Sequence, residues 1–138
     1  MADTSITVAE LAYFAGFFDG EGCVAAYKRK YVVSLTNCDV RPLARARELW
    51  GGYISRQSAT SRPHAIRDLW RWQIYGQKSR AFLEAIRPYT ILKREQIDTY
   101  LGVLEVLPLG RGARRASGAA SVINAGAARL RLLKREAV

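Results

Sequence analysis

The sequence predicts an α+β domain of helix, hairpin, helix, hairpin and further helices. This is an αββαββα order in which four strands make one antiparallel sheet. Three observations carry the expectation. Apolar residues recur at helical spacing before Phe18. Two later stretches alternate with period two, each a strand pair around a polar turn. Glycines or prolines (Gly22, Gly51-Gly52, Pro88, Pro108) stand at the joints between these stretches.

The first helix is expected from about Val8 to Phe18. Thr7 stands at its N-cap, and Glu10 three residues on completes a capping-box pattern. Leu11, Phe14, Ala15 and Phe18 share one face at i, i+3, i+4, i+7 spacing; Tyr13, Gly16, Phe17 and Gly20 share a second. A helix apolar on two sides needs two partners, and Gly16 and Gly20 leave room for a second backbone. After Gly22, Val24 and Ala26 alternate with Ala25, Tyr27 and Arg29. Past a basic turn near Lys30, Val33 and Leu35 alternate with Val32, Ser34 and Thr36. A helix from about Val40 to Trp50 and the turn Gly51-Gly52 lead to the second hairpin, Tyr53 to about Gln57 and Leu69 to Tyr75. In its last strand Trp70, Trp72 and Ile74 point one way and Arg71, Gln73 and Tyr75 the other. Helices follow over about Ser79–Ile86, stopping before Pro88, and about Lys93–Leu107. The stretch Leu109–Ala120, rich in Gly, Ala, Arg and Ser, reads as a linker, and Ser121–Glu136 as a short basic helix. The expected organisation is one domain over 1–108, with the basic linker and helix of 109–138 packed on it or extending from it.

A chain of 138 residues suits one domain, and 49% hydrophobic with 25% charged residues is a globular composition. Asp19 and Glu21 interrupt the longest apolar run well short of a membrane span, so no membrane partner is expected. No basic segment precedes that run, so neither a signal nor a transit peptide is expected. Cys23, Cys38 and the lone His64 make neither a four-ligand zinc site nor a disulfide scaffold, which points to a reducing, cytoplasmic setting. Gly110-Arg111-Gly112 resembles a dinucleotide fingerprint, but Arg115 stands where the third glycine belongs. One histidine and no Gly-x-Ser-x-Gly elbow argue against a hydrolase triad. The Ala and Arg usage points to a GC-rich microbial or phage genome.

The net charge of +10 is unevenly spread. Residues 1–27 carry Asp3, Glu10, Asp19 and Glu21 and no Lys or Arg, whereas residues 28–80 carry twelve Lys and Arg against Asp39, Glu48 and Asp68. Such a basic middle points to a polyanionic partner. One sheet face would turn its Val, Leu, Trp and Ile to the helices. The other would present Tyr27, Arg29, Ser34, Thr36, Ser55, Gln57, Arg71, Gln73 and Tyr75. A β-ribbon fits the DNA major groove, where Arg and Gln read guanine and adenine edges, so these nine residues are expected to contact double-stranded DNA. A plain solvated face is the ordinary fate of such alternation; the charge excess favours nucleic acid.

The run Phe14-Ala15-Gly16-Phe17-Phe18-Asp19-Gly20-Glu21-Gly22 closely resembles the LAGLIDADG motif of homing endonucleases. Leu35-Thr36-Asn37, Trp50-Gly51-Gly52-Tyr53, Ile86-Arg87-Pro88-Tyr89 and Leu92-Lys93 agree with the same family, so the likeness covers about residues 8–107. The resemblance implies the homing-endonuclease fold, with a DNA-binding sheet and motif helices packed between two units. Tyr13, Gly16, Phe17 and Gly20 would form that interface. It further implies that Glu21, the second acid of the motif, holds a divalent metal with the Gly20 carbonyl. Mg²⁺ is the expected ion and Mn²⁺ the expected substitute. This sequence has Glu where the family name has Asp, which keeps the charge and adds a methylene. Asp19 is expected to serve the helix end. By the same resemblance Lys93 lies near the scissile phosphate, Asn37 positions water and Arg41 stands close to the same site. Asn37 could equally be a cap opening the next helix.

One motif copy implies one half-site per chain, hence a homodimer on a pseudo-palindromic target. The implied activity is a site-specific double-strand cut, as in homing of a mobile intron or similar element. The alternative is a non-cleaving DNA- or RNA-binding protein of the same fold, an intron maturase or a transcription regulator.

Overall fold

A computed structural model describes residues 5–27, 30–58, 67–107 and 119–136. Its elements are α1 (Val8–Glu21), β1 (Gly22–Tyr27), β2 (Lys30–Asn37), α2 (Arg41–Trp50), β3 (Tyr53–Gln57), β4 (Leu69–Tyr75), α3 (Arg80–Ile86), α4 (Arg94–Leu104) and α5 (Ala119–Glu136). The four strands make one antiparallel sheet in the order β1-β2-β4-β3. The α+β class and the four-stranded antiparallel sheet are therefore as the alternation predicts. Arg29, the loop with His64 and most of the expected linker lie outside the described residues, as does the side chain of Tyr27.

The helices cover one sheet face. Phe14 and Phe18 of α1, Leu43 and Ala46 of α2, Phe82 and Ile86 of α3, and Ile97 and Tyr100 of α4 pack with Val33, Leu35, Trp72 and Ile74 of the sheet, all buried. The Phe82 ring lies edge-on to Phe18, Trp50 and Trp72, with centroids 5.8, 4.8 and 5.0 Å away. These buried aromatics tie α1, α2, α3 and the sheet together, and edge-to-face pairs at such spacing add stabilisation beyond their burial.

Local chemistry explains where elements start and stop. Thr7 Oγ1 accepts the Glu10 amide at 3.1 Å, as a capping residue should. The Glu10 carboxylate is bound by Arg45 Nε at 2.7 Å, which ties α1 to α2. Helix α1 runs past Phe18 to Glu21, three residues further than the apolar pattern suggests. Gly22 closes it by donating its amide to the Phe18 carbonyl. A side chain at Gly22 would meet the Phe18 ring at 2.2 Å, so only glycine lets β1 begin against the helix it follows. Gly52, at φ 87°, fits equally tightly: a Cβ there would meet the Gln73 carbonyl oxygen at 2.5 Å. Helix α4 is shorter than its pattern, starting after Lys93 and ending at Leu104, where the amides of Val106 and Leu107 tighten into i→i+3 bonds.

Helix α5 packs on α4 and along edge strand β1. Ala119, Ile123, Leu130 and Leu133 are its buried side chains. A Cβ at Gly126 would meet a methyl of Val103 at 2.3 Å, so the two helices approach closely there. Arg129 pairs with Glu95 across the same contact. Among the described residues no helix is long and apolar enough to cross a membrane.

Candidate active site and sheet interface

The C-terminal end of α1 gathers charge. Helix C-termini disfavour acids because the last carbonyls already carry partial negative charge, yet Asp19 and Glu21 both sit there. Lys93 offsets this. Its ammonium donates to the carbonyls of Phe18 and Asp19, each at 3.1 Å, and lies 5.8 Å from the centre of the Phe18 ring. Burial pushes the Lys93 ammonium below its ordinary pKa, while Cys23, Asp19 and Glu21 pull it back up. The Asp19 carboxylate accepts the amides of Ile91 at 2.7 Å and Lys93 at 3.0 Å. It thereby latches the turn before α4 onto α1, and this latch aims Lys93 at the helix end.

Glu21 differs from Asp19. Its carboxylate is exposed and makes no hydrogen bond among the described residues. The neighbouring Gly20 is exposed too, and a Cβ there would meet nothing within 4 Å. An accessible carboxylate beside an accessible carbonyl suits a hard cation that keeps most of its waters. Among the described residues no cluster of three or more His, Cys, Asp or Glu could hold a metal. One chain thus offers a partial set of oxygen ligands.

Asn37 and Arg41 stand at the end of β2 and the start of α2. They line an open groove of about 520 Å³ with Tyr13, Phe17 and Asp39, between α1 and the start of α2. Asn37 Oδ1 accepts the Asp39 amide at 2.9 Å, and Asp39 Oδ1 accepts the Arg41 amide at 2.9 Å, so two successive side chains start α2. The capping role of Asn37 is real in this sense, although Val40 is the residue at the cap itself. The Arg41 guanidinium closes on Asp39 at 2.6 Å and holds that carboxyl down at about 2. No bond joins Glu21 to Asn37 or Arg41 among the described residues. So exposed an ion pair is weak, and Arg41 is free to exchange Asp39 for another anion.

The second face of α1 is largely uncovered among the described residues. Tyr13 is 53% exposed, Phe17 is half-buried, and a Cβ at Gly16 would meet nothing within 4 Å. Ile91 and Leu92 in the latched turn are 83% and 73% exposed.

Strand register puts the polar set on one sheet face. Thr36, Arg71 and Ser55 form one row across β2, β4 and β3; Ser34, Gln73 and Tyr53 form the next. Gln57 lies opposite Leu69, and Tyr75 opposite Val32. Arg71 Nε is buried without a partner among the described residues, flanked by two hydroxyl side chains that are polar but short. Tyr53 stacks on Tyr75 with ring centres 5.8 Å apart and hydroxyls 2.8 Å apart. That hydrogen bond raises the Tyr53 pKa. Tyr53 is absent from the expected set although its alternation with Ser55 and Gln57 assigns it to the same face.

A family model described as a LAGLIDADG-like domain matches residues 9–87. No curated protein sequence matches the chain. Among solved structures, the chain is similar to the homing endonuclease I-CvuI in complex with the I-CreI target in 2 mM Mg, where the DNA is not cleaved. That match has TM-score 0.68 and 18% identity, and covers 91% of this chain and 82% of that one. It is similar also to I-CvuI bound to its own target in 2 mM Ca, with TM-score 0.66, 21% identity and the same coverage. The structural matches speak to the fold; the family model spans more than half of the sequence. The chain belongs to the LAGLIDADG homing endonuclease family.

Proposed function

We propose that the chain is a site-specific, divalent-metal-dependent endonuclease that cuts both strands of DNA as a homodimer at a long pseudo-palindromic site, in the homing of a mobile intron or similar element. The observation that carries this reading is Glu21, an exposed carboxylate with no hydrogen bond among the described residues, kept at the disfavoured end of a helix beside a lysine. A structural acid would be paired, as Asp19 is. An exposed acid kept where the helix end disfavours it is expected at a functional site.

The polar sheet face lies on the duplex in this reading. Arg71 and Gln73 reach base edges, helped by Tyr27, Arg29, Ser34, Thr36, Ser55, Gln57 and Tyr75. Glu21 and the Gly20 carbonyl hold Mg²⁺, for which Mn²⁺ substitutes. When bound, the metal activates water and stabilises the attacking and leaving oxygens of phosphodiester hydrolysis. Lys93 keeps its ammonium at the scissile phosphate, where developing charge is stabilised by a group already in place. Asn37 has its carbonyl oxygen committed to Asp39, which leaves its amide nitrogen to hold a water. Arg41 exchanges Asp39 for a phosphate.

The homodimer buries the second face of α1, through Tyr13, Gly16, Phe17 and Gly20. Two glycines on that face permit close backbone approach, and the exposed Ile91 and Leu92 extend the apolar surface.

Binding to a pool of random duplexes in EDTA tests this reading without cleavage. Sequencing the bound fraction is expected to return one near-palindromic site. Affinity is expected to fall roughly 10³-fold between about 50 and 200 mM salt, as for a protein with several phosphate contacts. An affinity that stays flat across the titration would count against the sheet as the DNA surface.

A further inference from the structure

The motif leaves the basic C-terminal helix without a role, and its packing supplies one. Helix α5 is fixed on α4 by Gly126 against Val103, by buried Leu130 and by the Arg129–Glu95 ion pair. This directs its last turn toward the start of β1. There the Lys134 ammonium lies 3.5 Å from the Cys23 sulfur, two residues beyond Glu21. It is close enough for its charge to act on Lys93, as do Cys23, Asp19 and Glu21. Two lysines, from α5 and from the turn before α4, thus converge on the end of α1.

Lys134 gains little from the chain itself. Its one hydrogen bond among the described residues goes to a thiol, a weak acceptor, and its side chain is exposed. The two ammonium groups share this helix end with the Asp19 and Glu21 carboxylates, whose charges act on Lys93 as well. Arg129 on the same helix shows the contrast, since it is paired with a carboxylate.

We propose that Lys134 is a second phosphate-binding ammonium at the cleavage end of α1, so that α5 is part of the nucleic-acid interface rather than a packing appendage. This rests on the nuclease reading above. The ligand is a backbone phosphate of duplex DNA next to the one that Lys93 meets. Lys134 supplies a point charge there and takes no part in proton transfer.

The test uses the full chain with Lys134→Gln, Lys134→Arg and Arg135→Gln. Arg135 is exposed one residue further along the helix, and its substitution changes net charge equally. Duplex binding is measured in EDTA across a salt series. Lys134→Gln is expected to lower the slope of log affinity against log salt by about one, which at about 0.1 M salt is roughly an eightfold loss. Lys134→Arg is expected to keep the wild-type slope, and Arg135→Gln to lose less than about twofold. A wild-type slope in Lys134→Gln, or an equal loss in Arg135→Gln, would overturn the assignment while leaving the nuclease reading intact. A wild-type chain that bound no duplex would overturn both.

Discussion

Glu21→Gln is expected to lower the rate of DNA cleavage by on the order of 10³-fold or more, since a metal site supplies several kcal/mol of transition-state stabilisation. Glutamine keeps the size and one carbonyl oxygen but removes the charge that would hold the cation. The exchange breaks no side-chain hydrogen bond among the described residues and removes only a charge near Lys93. Removing an acid from a helix C-terminus is favourable by about 0.3–1 kcal/mol, so thermal melting is expected to stay level or rise. Duplex affinity in EDTA is expected to change less than about threefold. Cleavage by the variant at the wild-type rate would remove Glu21 from the mechanism. A collapse of binding together with cleavage would make its role structural.

The second large effect belongs to the uncovered face of α1. Gly16→Leu adds a bulky side chain where the chain itself has open space for a Cβ, and leucine is a better helix former than glycine by nearly 1 kcal/mol. The monomer is therefore expected to melt no lower than wild type. Between two copies, where backbones are to approach closely, the same side chain has no room. Overpacking costs about 1–3 kcal/mol, or roughly a 5- to 150-fold weaker dimer, and double-strand cutting is expected to fall with it. Light scattering across a concentration series reads the assembly directly. An intact dimer at wild-type concentrations would refute this packing face. A monomer that also melts early would mean that Gly16 serves the fold.

These two variants separate because α1 carries two unlike faces, and that division is legible in the sequence. Spacing alone distinguishes Phe14 and Phe18, buried against the sheet, from Tyr13, which is exposed, and Gly16, which has open space around it. The sheet was legible for a similar reason: period-two alternation assigns Ser34, Arg71 and Gln73 to one face, and the register agrees. What spacing does not carry is contact between distant segments. The end of α1 depends on Lys93, some seventy residues later, whose ammonium caps its carbonyls. No local pattern near Phe18 encodes that bond, so the helix outruns its apolar stripe. Asn37 and Arg41 show the reverse case. The family resemblance groups them with Glu21, while their own hydrogen bonds are local ones to Asp39 beside the α2 groove. Lys134 was out of reach altogether, because it depends on how α5 crosses α4, and that crossing is set by the small Gly126 against Val103.

In the proposed reading Glu21, held at the end of the motif helix, makes this chain cut DNA with a divalent metal. The most direct measurement is to incubate the chain with a large library of random duplexes in Mg²⁺ or in EDTA and to sequence every cut end. Breaks at one recurring, near-palindromic site, with short 3′ overhangs in Mg²⁺ and none in EDTA, are the predicted result. Enrichment of a bound site with no cut ends in Mg²⁺ would contradict the claim and identify the chain as a binding protein built on a nuclease fold.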